Sequence, residues 1–234
     1  MGTSQSHKLL KTPAWSQAKR AMTEVAHNPS NTNIGKFMHN FSHAIQSSSG
    51  RGGSSTSSFG HHGSLIISRF LDLIGDARNG VFPFIPVSDE EKTTLTPQET
   101  LILIYDSLTG DSDSNPDQVA AQAALDSMLN ELLDKCETVE DIKDTLKNLS
   151  NEDIIFLTIE YQSAYILEYA GELFQEHIFS KEADPASINT EIKNYIKSEL
   201  SSYIAEHGKP INPMSTQWKQ FIKKMTSEIL EIWK

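Results

Sequence analysis

Four histidines, a row of glutamates, a glycine-rich run and an N-terminal glycine are the residues of this chain that could do chemistry. His39 and His43 stand four apart, a spacing that brings two imidazoles to one side of a helix and within reach of one metal ion, and His61-His62 follow. No Cys or His joins them at ligand spacing and no His-Glu-x-x-His run occurs, so the residues read as solvated or partner-facing histidines. Glu160, Glu168, Glu172 and Glu176 read as the polar seam or solvated face of a long helix. An acid/base pair needs a converging geometry that such spacing does not supply. Gly50, Gly52 and Gly53 lack the Lys and the strand-then-helix setting of a phosphate loop.

Met1-Gly2 offers a different chemistry. Removal of a methionine is favoured before a small residue and leaves a glycine amine whose ordinary pKa is about 7.7 to 8.0, so a useful fraction is neutral and nucleophilic near neutrality. Glycine carries no side chain, and residues 1–12 are short, polar and aperiodic, the pattern of a mobile arm. Extended at roughly 3.3 Å per residue, such an arm reaches into a narrow pocket of another protein. MGTSQS also fits the N-myristoylation pattern, with Ser6 at the favoured position, and an unmodified start is the ordinary alternative.

The elements that must hold such an arm are helical. Thr12-Pro13 starts a helix in which Trp15, Ala18, Met22 and Val25 share a face, and Asn33 to about Gln46 puts Phe37, Phe41 and Ile45 on one side. These two short amphipathic helices fill 13–46. A Gly/Ser-rich linker follows at 47–63, and 64–87 forms an apolar docking segment, with GVFPFIPV expected to lie extended. From Ser88 to Lys234 the chain reads as an acidic helical domain. Thr96-Pro97-Gln98-Glu99, Asn115-Pro116-Asp117-Gln118 and Thr138 with Asp141 each signal a helix start. Ser150 to Phe179 is apolar nearly all round, so it is the central helix that its neighbours bury. Two more amphipathic helices follow Pro185 and Ser215, and no strand pattern occurs. The expected fold is all-α: an irregular bundle around a central buried helix.

Charge divides the chain in the same place. Residues 1–80 hold eight Lys/Arg against three Asp/Glu, net +5, and 81–234 hold twelve against twenty-eight, net −16. All four arginines, Arg20, Arg51, Arg69 and Arg78, fall in the first part, which makes the acidic part a poor nucleic-acid binder. A lone Cys136 and no cleavable signal at the start point to the cytoplasm, and the charges within the central run exclude a membrane span there.

The Met1-Gly2-Thr3-Ser4 opening, Trp15, the Asn33-Ile34-Gly35-Lys36-Phe37 stretch, the Gly/Ser-rich segment and the acidic runs ETVEDIKDTLKNLSNEDI and EIKNYIKSELSSYI together resemble the QatB components of bacterial Qat anti-phage cassettes. A Pro/Gly-rich tract after the opening is missing, as in a divergent branch. The resemblance implies a non-enzymatic partner of a QueC-like enzyme, beside an ATPase and a TatD-like nuclease of the same cassette. It implies that Gly2 receives a 7-deazaguanine through an amide, with Thr3, Ser4 and Trp15 as recognition residues, and it implies no further cofactor. Three alternatives stay open: an unmodified structural adaptor, a toxin or hydrolase with clustered carboxylates, and a membrane-peripheral protein using the basic N-terminal third and the Leu65 to Val87 stretch on anionic lipid.

Overall fold

The computed structural model describes residues 12–49, 59–85, 95–110, 115–171, 184–207 and 212–233. Among these residues the chain is all-α, with nine α-helices and no strand. The helices are α1 (Pro13–His27), α2 (Asn31–Ser49), α3 (His61–Arg78), α4 (Pro97–Thr109), α5 (Pro116–Leu133), α6 (Val139–Asn148), α7 (Asn151–Tyr169), α8 (Pro185–His207) and α9 (Thr216–Glu228). A 3₁₀ turn, Ile229–Trp233, closes the described chain.

The helices divide into two compact units. In the first, α1 and α2 pack face to face with the start of α8 and the residues from Leu230 onward. Trp15, Ala18, Met22 and Val25 of α1 are buried with Phe37, Phe41 and Ile45 of α2, the faces that periodicity predicts. Phe37 stacks on Phe41 at 5.7 Å, and the Trp15 ring meets Phe41 edge-on at 6.2 Å. Gly35 has a reason here: a Cβ on it would come within 2.9 Å of the Tyr195 hydroxyl.

The second unit holds Ser58–Ala170 and Ile196–Ile229. Its helix starts follow the capping chemistry written in the sequence. Thr96, Thr138 and Ser150 each accept from the backbone N–H three residues on, while Glu99, Asp141 and Asp153 accept from the cap's own N–H. Two free donors are satisfied at each start. The central helix α7 packs on α5 and on α3, and Ile154, Leu157, Tyr161, Tyr165 and Ile166 are buried. Burying each such side chain stabilises the fold by about 1.5–3 kcal/mol. It ends at Tyr169 rather than Phe179: the Ala170 N–H turns back to the Ile166 carbonyl at 3.0 Å, and residues 172–179 lie outside the described part.

Four local expectations differ from the structure. The helix expected to end near Gln46 runs to Ser49, and α3 begins at His61, inside the segment read as linker. Phe82-Pro83-Phe84-Ile85 is a turn rather than extended, closed by the Ile85 N–H on the Phe82 carbonyl at 3.0 Å. Pro83 sits where its fixed φ favours a turn, and Phe84 is buried. The fourth is Phe156, which stands 51% exposed on the helix expected to be covered.

Candidate functional site

Gly2, Thr3 and Ser4 lie outside the described residues. The described chain opens at Thr12, whose hydroxyl accepts the Trp15 N–H at 3.4 Å and whose carbonyl accepts from Ser16 Oγ at 3.1 Å. Pro13 takes the first helical position, where its missing N–H leaves nothing unpaired. Trp15 is 7% exposed, and its ring packs edge-on against Phe41 of α2. Its position fixes where residues 1–11 join the first unit.

The histidines do not converge on a metal. Among the described residues no group of three or more His, Cys, Asp or Glu side chains is placed to hold an ion. His39 is exposed, as expected, and its Nδ1–H also donates to the Trp233 carbonyl at 2.8 Å. Ser42 Oγ donates to the Leu230 carbonyl at 2.5 Å and Gln46 Nε2 to Glu231 at 3.1 Å. This side of α2 therefore caps carbonyls of the terminal 3₁₀ turn. His43 is exposed on the same helix. In the second unit His61 is exposed, and His62 Nε2 accepts from Asn115 Nδ2 at 3.2 Å.

The glutamates separate too. Glu160 is buried and ion-paired with Lys197 of α8, Glu168 is exposed, and Glu172 and Glu176 lie outside the described residues. Arg69 and Arg78 belong to the same compact unit as the acidic helices, which the charge division of the sequence does not anticipate. Each donates to a helix-terminal carbonyl, Arg69 Nη1 to Leu108 at 2.9 Å and Arg78 Nη2 to Leu149 at 2.5 Å. The last carbonyls of a helix have no intrahelical donors, so a guanidinium there is well placed.

The densest polar constellation was not legible in the sequence. Asp117, in the first turn of α5, is 1% exposed, and its carboxylate serves a different helix. Its Oδ1 accepts the Gly60 N–H at 2.9 Å and its Oδ2 the His62 N–H at 2.7 Å. The Tyr165 hydroxyl donates to Oδ1, and the phenol oxygen accepts the Gly60 N–H at 2.7 Å. Tyr161 donates to the Gly63 carbonyl at 3.2 Å. Gly60 has φ 87° and no side chain to cap α3, so α5 supplies the missing cap from 57 positions away. Phe59 stacks on Tyr165 at 5.2 Å and meets Tyr169 edge-on at 4.6 Å.

Burial, and then the Asp117 charge, push both Tyr161 and Tyr165 well above the ordinary phenol range. Both remain donors at neutral pH. The cluster is a clamp that fixes the start of α3 on α5 and α7, because the donors around it occupy both carboxylate oxygens. Compared with protein-family models, curated proteins and solved structures, the chain matches none. Among the described residues no helix is long and apolar enough to cross a membrane.

Proposed function

We propose that this chain is an anti-phage defence component that binds a QueC-like enzyme and presents Gly2, after methionine removal, for covalent attachment of a 7-deazaguanine. The carrying observation is the Met1-Gly2-Thr3-Ser4 opening, set ten positions ahead of Thr12 where a helix anchored by Trp15 begins. Ten residues extend over roughly 33 Å, enough to carry a glycine amine into a partner's pocket. In the reaction the neutral amine attacks the acyl carbon of an ATP-activated 7-deazaguanine carboxylate. The amide bond forms, AMP leaves with the electrons of the broken acyl-phosphate bond, and the nitrogen loses its extra proton.

The chain supplies the nucleophile and the partner supplies the activated acyl group. Thr3 and Ser4 read the approach, and Trp15 sets the base from which the arm leaves. The ATPase and TatD-like nuclease of such a cassette are further partners in this reading, and the setting is the cytoplasm. The membrane-peripheral alternative loses one support: Ile66, Ile67, Phe70, Leu71, Leu73 and Ile74 of α3 are buried in the second unit, so that apolar face is covered by protein.

A substitution series tests the reading. Co-expressed with a QueC-like enzyme, the wild type gains a 7-deazaguanine on its N-terminal peptide, whereas Gly2→Ala gains none and Thr3→Ala with Ser4→Ala gains at least tenfold less. A full adduct on Gly2→Ala would remove strict glycine recognition, and no adduct on the wild type would remove the modification itself.

A further inference from the structure

Phe156 is an anomaly on α7. The helix buries aromatic rings at Tyr161 and Tyr165, yet this ring stands half in water six residues after the Ser150 cap. It lines a groove of about 690 Å³ whose floor includes the buried side chains of Leu149 and Leu157. That volume lies within the range of ordinary ligand clefts, roughly 300–1,000 Å³. Three carboxylates, Glu131, Asp134 and Asp153, line the groove beside a single ammonium, Lys135. Glu131, Asp134 and Asp153 are all exposed. Asp153 keeps its charge to lower pH than an ordinary carboxyl because the Ser150 hydroxyl, and then its backbone N–H, donate to it.

We infer that this groove on the α5–α7 face docks a basic segment of a partner protein, one that inserts an apolar side chain against Phe156 and sets lysines or arginines against Glu131, Asp134 and Asp153. An apolar floor with an excess of carboxylates around it selects that occupant: an acidic segment meets like charge, and an uncharged one leaves the carboxylates partly desolvated without partners. The aromatic ring provides the anchor, while the exposed carboxylates set specificity and association rate more than affinity. The inference goes beyond the glycine reading and does not rest on it, since every residue invoked lies in the second unit.

The test uses the full chain and, as probe, a synthetic amphipathic peptide of lysine and leucine, compared with its glutamate-and-leucine counterpart by isothermal titration. The lysine peptide binds and the glutamate peptide does not. Phe156→Ala weakens binding about tenfold, an effect of the size a single buried aromatic anchor gives, with the helical far-ultraviolet signal unchanged. Glu131→Lys combined with Asp134→Lys abolishes it, and Val119→Ala, at an exposed apolar residue elsewhere in the unit, leaves it intact. Equal binding of the lysine peptide by wild type, Phe156→Ala and the double lysine variant would overturn the inference, reducing it to diffuse attraction by an acidic protein. Self-association that depends on Phe156 would also overturn it, by making a second copy the occupant.

Discussion

At the scale of single residues, Asp117 carries more of the structure than its surroundings in the sequence suggest. It sits in a first-turn pattern, Asn115-Pro116-Asp117-Gln118, that reads as a local helix start, and Asn115 does cap Gln118 N–H at 2.9 Å. The carboxylate itself turns away to another helix. In Asp117→Asn one carboxylate oxygen becomes an NH₂ group facing a buried N–H, so the variant loses about 2–3 kcal/mol of stability, read as a lower urea midpoint. Tyr165→Phe removes one donor and leaves the others, and the loss is about 1 kcal/mol. If Asp117→Asn unfolds at the wild-type midpoint, the clamp is not what holds the start of α3. Gly60→Ala is a separate probe of the same point: its φ of 87° places a side chain in the left-handed region, at a penalty of about 1–2 kcal/mol.

At the scale of elements, what could be read in advance was what is local. The starts at Thr96, Thr138 and Ser150 need only residues three apart, and the buried faces of α1 and α2 need only a 3.6-residue period. The start of α3 was missed because nothing near Gly60 caps it; composition places His61-His62-Gly63 in a linker, and the cap comes from α5. Phe156 was missed for a related reason, since apolar count alone cannot tell which side of a nearly all-apolar helix lacks a neighbour. Leaving about half of that ring in water forgoes about 1 kcal/mol.

The local caps also make an acid dependence. Hydrogen bonds from Ser150 to Asp153, from Thr138 to Asp141 and from the Thr96 backbone to Glu99 hold all three carboxyls below their ordinary range. A carboxyl whose folded pKa is lowered contributes stability that is complete above its unfolded pKa, near 4, and that disappears as pH falls through the folded value. The urea midpoint therefore drops on acidification below about pH 4. Ser150→Ala lowers the midpoint at neutral pH by about 1 kcal/mol of cap energy and drops less steeply in acid. A variant that keeps the wild-type acid slope would show that the cap does not set the Asp153 ionisation.

At the scale of the molecule, the second unit is organised by α7, whose residues from Glu160 to Ile166 are all buried. Its interior is not purely apolar: Glu160 pairs with Lys197, and Gln162 Nε2 donates to Thr226 Oγ1 at 2.5 Å, which in turn donates to the Ile222 carbonyl at 2.8 Å. Amides in so continuously buried a stretch open only when the whole unit does. Native-state hydrogen exchange should be slowest from Tyr161 to Ile166, and equally fast exchange there and in α4 would contradict a core centred on α7. The division of charge along the chain tells less than it promises, because Arg69 and Arg78 fold into the same unit as the acidic helices and are engaged at helix ends.

The chemistry assigned to Gly2 rests on the opening residues and their resemblance, and its most direct measurement is the mass of the N-terminal peptide. The protein is made alone and together with a QueC-like enzyme, and both samples are digested and weighed. The expected result is an unmodified Gly2 amine in the first sample and a glycine carrying a 7-deazaguanine acyl group in the second. An unmodified glycine in both, from an intact complex, would contradict the proposal and leave an adaptor; a fatty-acyl mass would contradict it in favour of a membrane anchor.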